Sequence, residues 1–292
     1  MRINGVTYHH PLANIMDSSG TGAGGGGADP PTGKSYSFDG VDDRVDADDA
    51  ALAGTLNWDG AKSWSISTWF KNGGATTTPL YIWSACSTNP GVSRRMGVST
   101  HAIAGVSYVR FIALHSVVLI EDPKSPSGGA GYVEVRSTDP NGITPGDGNW
   151  HNITITANTV ASTPAGVKVY LDGLPAGFAQ TAAVAASWSK LSFGCQVQRN
   201  GADRSAFFPG LLHQASMYDS ELTAGEVAAV YNAGSPPDEM TLTPRPLNYY
   251  RFGNGDTRFR VLKDYGTSPQ DGLAYNMALS PPPPGAIVSD AP

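Results

Sequence analysis

Asn149-Trp150-His151-Asn152-Ile153-Thr154-Ile155-Thr156-Ala157, followed after a short connection by Val167-Lys168-Val169-Tyr170-Leu171-Asp172-Gly173, carries the clearest structural signal in the chain. Trp150 to Ala157 alternates large and small residues and is rich in β-branched ones. Val167, Val169 and Leu171 point to one face, Lys168 and Tyr170 to the other. A period of two marks a half-buried strand, and it occurs twice here. The connection from Thr159 to Gly166 holds Thr, Ser, Pro and Gly, which suit a turn. Asp172-Gly173 sits between two leucines, and both residues tolerate positive φ, so the chain can fold straight back. The stretch predicts strand, turn, strand, tight turn, strand.

Further strand signals lie on both sides. Upstream are Lys34 to Gly40, Asp42 to Asp46, Ser63 to Phe70, Leu80 to Ala85, Gly97 to Ser99, Ser107 to Leu114 and Tyr132 to Arg136. In the third of these, Trp64 and Ile66 face one side and Ser65, Ser67 and Trp69 the other. Downstream are Leu191 to Cys195 and Gly210 to Tyr218. The period then changes. Thr223 and Glu226 form a capping-box pattern, Val227, Val230 and Tyr231 share a helical face, and Gly234 with Pro236-Pro237 stops the helix. Leu247 to Gly253 is a strand again, and Arg258 to Asp264 reads as another. So many short strands with one short helix predict an all-β, two-sheet antiparallel sandwich. Residues 1–33 read as a flexible Gly-rich arm, carrying Thr21-Gly22-Ala23-Gly24-Gly25-Gly26-Gly27-Ala28. Residues 34–236 read as the sandwich. Residues 237–292 read as a C-terminal extension with one or two strands and a Pro-rich tail.

Composition agrees with this class. Among 292 residues there are 35 Gly and 22 Pro, and only 15% are charged, which suits many turns and not a helical bundle. A net charge of −6 offers no footprint for nucleic acid. No apolar run is long enough for a membrane span, and no secretion signal is visible at the N-terminus. The two cysteines, Cys86 and Cys195, read as buried free thiols.

The pieces Tyr36 to Asp43, Trp64 to Phe70, Trp150 to Thr154, Val169 to Gly173, Phe208 to Leu212 and Leu222 to Asn232, in this order, resemble the laminin G-like branch of the concanavalin A-like lectin/glucanase superfamily. The resemblance implies an antiparallel jelly-roll sandwich. A second resemblance lies further on, in Tyr249 to Asp256, Val261 to Asp264, Tyr275 to Met277 and Ile287 to Asp290. These look like the tails of laminin G-like structural proteins of tailed phages. That implies a virion component such as a decoration protein or fibre, made in a host cytoplasm. Its partners would be other virion proteins, further copies of itself and surface glycans. Met1, Arg2, His9, His10, Tyr249 and Tyr250 would then serve as assembly contacts.

The superfamily includes glycosidases, so catalysis must be weighed. A retaining enzyme needs two carboxyls about 5 Å apart, and a Glu-x-Asp-x-x-Glu run on a strand would supply them. The glutamates Glu121, Glu134, Glu221, Glu226 and Glu239 form no such run. Glu134 has Arg136 as its same-face neighbour and reads as an ion pair. Asp219 and Glu221 read as turn and cap residues. There is no Gly-x-Ser-x-Gly elbow and no phosphate loop. The expectation is a protein without enzymatic activity.

Two binding chemistries are open. Asp39, Asp42 and Asp43, with Asp46, Asp48 and Asp49 close by, give a local oxygen cluster of the kind calcium takes, and the family often binds calcium at the sandwich rim. A solvated acidic edge that discourages strand pairing is the plainer reading of the same residues. Trp69, Trp83, Tyr108, Tyr132 and Trp188 are candidate platforms for a sugar ring. Core packing is the plainer reading of each. Trp69, which shares its face with Ser65 and Ser67, is the leading candidate.

Overall fold

The three predicted strands and the tight Asp172-Gly173 turn between the last two are present, while the first predicted turn lies outside the described residues. The computed structural model describes residues 2–3, 6–7, 34–47, 63–72, 78–87, 94–103, 106–114, 132–136, 146–158, 166–180, 190–198, 202–252, 261–277, 287–288 and 292. In chain order the strands begin with β1 (Arg2–Ile3), β2 (Val6–Thr7), β3 (Ser35–Asp39), β4 (Arg44–Asp46), β5 (Trp64–Lys71), β6 (Leu80–Ser87) and β7 (Arg94–Ile103). Next come β8 (Val106–Leu114), β9 (Tyr132–Arg136), β10 (Trp150–Asn158), β11 (Gly166–Leu171), β12 (Leu174–Gln180) and β13 (Lys190–Phe193). The last are β14 (Gln196–Val197), β15 (Arg204–Ser205), β16 (Pro209–Tyr218), β17 (Asn248–Arg251), β18 (Val261–Leu262), β19 (Gly272–Tyr275) and β20 (Ile287–Val288). Helix α1 (Ala224–Tyr231) falls between β16 and β17.

Two eight-stranded antiparallel sheets make the sandwich. The first runs β12-β11-β10-β5-β16-β3-β20, with β17 also paired to β16, and the second runs β18-β19-β4-β13-β6-β7-β8-β9. Alternation sets which side chains meet between them. Ile153 and Ile155 of β10 lie opposite Leu171 and Val169 of β11, and Ile155 lies opposite Ile66 of β5. These join Phe70, Trp83, Phe193, Leu212 and Tyr250 in one buried core. The Asp172-Gly173 turn has φ of 50° and 75°. A Cβ at Gly173 would meet the Tyr231 ring at 2.9 Å, so the turn needs glycine for conformation and for space.

The segment after residue 236 supplies strands to both sheets: β17 on β16, β19 on β4, and β20 on β3. Asp264 fastens it. Its carboxylate accepts from the amides of Tyr249, Gly266 and Gln270 and from Asn248 Nδ2, at 2.6–2.8 Å. Tyr249 and Tyr250 are fully buried by this docking. Their expected role as assembly contacts is therefore corrected. The Tyr249 hydroxyl donates within its own chain, to Gln214 Oε1 and the Pro237 carbonyl, and Tyr250 donates to the Gln270 carbonyl.

The outward face of the first sheet is also buried, which alternation alone does not predict. The capping box forms as read: Thr223 Oγ1 accepts from the Glu226 amide, and Glu226 accepts from the Thr223 amide. Val227 and Val230 then pack with Leu222 on Tyr170 and Tyr218, with Leu242 alongside. Each such aliphatic side chain is worth about 1.5–3 kcal/mol when fully buried. Ser65 Oγ donates to the Ser220 carbonyl and accepts from the Leu222 amide, so a strand hydroxyl secures the segment leading to the helix. Ser67 Oγ accepts from Asn152 Nδ2 and Thr154 Oγ1. Ser65, Ser67 and Thr154, on the polar face of their strands, are thus buried and hydrogen-bonded. Among the described residues, no helix is long and apolar enough to cross a membrane.

Candidate functional site: an acidic turn on the sandwich rim

Asp39 ends β3, and the chain crosses there from one sheet to the other. The strand expected to start at Asp42 begins instead at Arg44, because Asp39 to Asp43 form the crossing turn. Asp39 Oδ1 accepts from the amides of Val41 at 2.7 Å and Asp42 at 3.4 Å, a local Asx arrangement. Asp43 Oδ2 accepts from the Asp39 amide at 2.9 Å. Gly40 has φ 78°, and a Cβ there would lie 2.8 Å from Pro209 Cβ, so the turn is held against the β16 entry. Three carboxylates thereby converge, with one oxygen from each of Asp39, Asp42 and Asp43 within 4.8 Å of the others.

Burial raises the pKa of Asp43, and the neighbouring charges of Asp39 and Asp42 raise it further against the hydrogen bond from Asp39. A bound cation would relieve that repulsion. The donors are hard oxygens on a short loop, which suits calcium in ligand type. Asp42 is exposed, and its carboxylate has no hydrogen-bond partner among the described residues.

The surroundings of the turn come from far along the chain. Tyr275 pairs with Arg44 across β19 and β4, and the Arg44 guanidinium carbon lies 4.1 Å from the Tyr275 ring centroid. Arg44 Nε also donates to Asp46 Oδ2 at 3.1 Å, and Asp46 takes Arg204 and Ser192 besides. Asn276 Nδ2 donates to the Asp42 carbonyl at 3.3 Å. Val41, 69% exposed, stands at the tip. Arg44, Tyr275 and Asn276 were not singled out as site residues from the sequence. No local pattern marks them, because only the register of β19 on β4 brings them here.

The aromatic candidates fare differently. Trp69 is 1% and Trp83 0% exposed. Trp69 lies under α1 and Trp83 lies in the core between the sheets. Neither ring has a face left for a sugar, which corrects both expectations. Tyr108 and Tyr132 lie on the neighbouring strands β8 and β9, and their side chains are outside the described residues, as is Trp188. Arg2 lies in β1; Met1, His9 and His10 are outside the described residues.

Glu221, Glu226 and Glu239 have structural partners. Glu221 pairs with Lys168 at 2.7 Å, and Glu226 caps the helix. Glu239 is 1% exposed, takes the Tyr218 hydroxyl and Gln214 Nε2, and burial raises its pKa to about 7. A perturbed carboxyl of this kind is a usual sign of an active site. Here it is sealed beneath its own chain. Cys86 and Cys195 are free and buried, as expected, and burial pushes the Cys195 thiol up to about 12.

The sequence model of the concanavalin A-like lectin/glucanases superfamily matches residues 123–228. No curated protein matches the chain in sequence. Among solved structures, the chain is similar to the native heptameric SAP-like pentraxin of Limulus polyphemus. The TM-score is 0.50 at 14% identity, over 68% of this chain and 81% of that one. It is also similar to a provisional carbohydrate binding protein from Bacteroides ovatus. There the TM-score is 0.53 at 13% identity, over 88% of this chain and 60% of that one. At such identities the likeness is one of fold, and it establishes a jelly-roll-like lectin architecture.

Proposed function

We propose that this chain is a non-catalytic, lectin-like module that binds carbohydrate at its rim, with calcium held by Asp39, Asp42 and Asp43. The observation that carries this is the convergence of those three carboxylates beside Arg44, Tyr275 and Asn276 on a lectin-type sandwich. The cation would supply Lewis-acid contacts to vicinal hydroxyls, and the neighbouring side chains would supply hydrogen bonds. The covered outer face of the first sheet favours the rim over that face, since Trp69, Tyr170 and Tyr218 are taken up by α1.

The finer reading is that the module is displayed on a virion, in several copies, as a decoration or appendage. The resemblance of the C-terminal strands to the tails of phage structural proteins supports it. So does the layout of β3. Val288 pairs with Ser35 at one end of the strand, so the N-terminal arm and the C-terminal tail join the sandwich side by side. The acidic turn begins at the other end, roughly 13 Å along at about 3.3 Å per residue. Tethers at one end and binding groups at the other suit presentation.

The test is a glycan array probed with the full chain in calcium and again in chelator. Retention of a defined glycan set that is lost in chelator is expected. Absence of any retained glycan in calcium would overturn the binding reading. Fractionation of particles from a producing host tests display separately, and a chain never found on particles would remove the virion reading alone.

A further inference from the structure

His151, at the start of β10, is 5% exposed, and each of its ring nitrogens faces a carboxylate. Nδ1 lies 2.8 Å from Asp172 Oδ2, and Nε2 lies 3.1 Å from Asp147 Oδ1. An ionised carboxylate can only accept hydrogen bonds, so both contacts are satisfied only when both ring nitrogens carry hydrogen. The geometry therefore calls for the imidazolium.

The two carboxylates belong to different elements and are held unequally. Asp172 sits in the β11–β12 turn, where its Oδ1 accepts from the Asn152 amide and its own amide donates to the Asn152 carbonyl, both at 2.8 Å. Its side chain is 12% exposed. Asp147 sits in the loop before β10, with a side chain 33% exposed. It accepts from the Asn149 amide and from Asn149 Nδ2. In the same loop the Gly148 amide donates to the Asn72 carbonyl at 3.1 Å, beyond the end of β5. Phe70 of β5 places an apolar ring 6.0 Å from the imidazole. From α1, Tyr231 packs on Gly173, and burial together with the Asp172 charge raises the pKa of its hydroxyl. Asp147 and Asp172 are the charged groups facing the ring among the described residues.

We propose that His151 is a proton-gated clip that, when charged, ties the loop at residues 146–149 to the β11–β12 turn and, when neutral, keeps Asp172 and releases Asp147. A neutral imidazole has one N–H, so one contact must become a clash of lone pairs. The shorter and more buried contact, to Asp172, retains the donor. Burial lowers the pKa of His151, but hydrogen bonding to and the charges of Asp172 and Asp147 outweigh it and raise the value above the ordinary 6.5. The clip is thus closed at and below the ordinary histidine range. It opens as pH rises through the elevated folded-state value.

The test needs no variant to begin. The ring nitrogens of His151 are titrated by NMR in the full chain, and exchange of the Gly148 amide is followed from pH 6 to pH 9 after correction for intrinsic rates. We expect His151 to titrate above the ordinary histidine value, with Gly148 protection falling about fivefold in step with it. In Asp147→Asn, protection should be lower at pH 6 and insensitive to pH. A His151 that titrates at or below the ordinary value, or Gly148 protection that stays level through the titration, would overturn the clip.

Discussion

The indole of Trp69 lies almost flat on the ring of Tyr231, with centroids 5.5 Å apart and planes 17° apart. This stack joins the central strand of the first sheet to the last residue of α1, and it is how the sheet's outer face is closed. Trp69→Ala should destabilise by about 3–5 kcal/mol, as expected for a large buried aromatic. Tyr231 is half-buried, so Tyr231→Ala should cost less. A double-mutant cycle by chemical denaturation should return a coupling of about 0.5–1.5 kcal/mol. Coupling indistinguishable from zero would mean that the two rings are neighbours without being partners.

Glu239 makes stability fall as pH rises. Its carboxyl has a value near 7 when folded, against an ordinary 4.5, because burial penalises the charged form. The unfolded chain therefore holds fewer protons than the folded one between those values, and folding loses stability through that window. The loss is on the order of 3 kcal/mol. Glu239→Gln keeps an acceptor for the Tyr218 hydroxyl and carries no charge. It should match the wild type in thermal melts at pH 5 and exceed it at pH 8. Equal melting at both pH values would show that Glu239 is not the group responsible.

Asp264 is the fastener of the C-terminal strands. Asp264→Ala orphans three backbone amides, each worth about 1–3 kcal/mol if left unsatisfied in the interior, and removes one of the two acceptors of Asn248 Nδ2, which keeps the Ser268 carbonyl. A loss of about 3 kcal/mol or more is expected in urea unfolding. A loss under 1 kcal/mol would imply that water replaces the carboxylate at no great cost.

Calcium should stabilise the fold through the acidic turn. At a hundredfold excess over its dissociation constant a ligand specific to the folded state contributes about 2.7 kcal/mol. A rise in Tm on adding calcium, absent in Asp43→Asn, is the expected outcome. Magnesium should do less, because it demands a stricter octahedron and holds its water.

Much of this fold is legible along the chain. Alternation in β5, β10 and β11 gives the strands and the core-facing set, and Thr223 with Glu226 gives the start of the helix. Less legible is what covers a strand's second face. Ser65, Ser67 and Thr154 are polar, and alternation reads polar as wet. Their burial depends on α1 and the following coil returning over the sheet, a contact between residues more than 150 apart in the case of Ser65 with Ser220 and Leu222. Trp69 is misread as a sugar platform for the same reason. Tyr249 and Tyr250 look like tail residues free to meet a neighbour, yet β17 pairs with β16. The acidic turn is legible because its three aspartates fall within five consecutive residues, Asp39 to Asp43. Its neighbours Tyr275 and Asn276 are not, because strand register alone brings them there. His151 with Asp147 and Asp172 was also missed, although all three stand in or beside the stretch from Asn149 to Gly173. An alternating pattern records which side a residue faces and not which carboxylates meet it there.

Carbohydrate binding by the lectin-like sandwich through the Asp39–Asp43 turn is tested by the binding isotherm of the best array ligand, in calcium, for the wild type and for Asp42→Asn. That substitution removes a metal ligand while leaving the hydrogen bonds that hold the turn intact. Calcium-dependent binding by the wild type is expected, with a loss of about tenfold or more in affinity, at least about 1.4 kcal/mol, in the variant. Equal affinity in the two proteins, or binding indifferent to calcium, would contradict it.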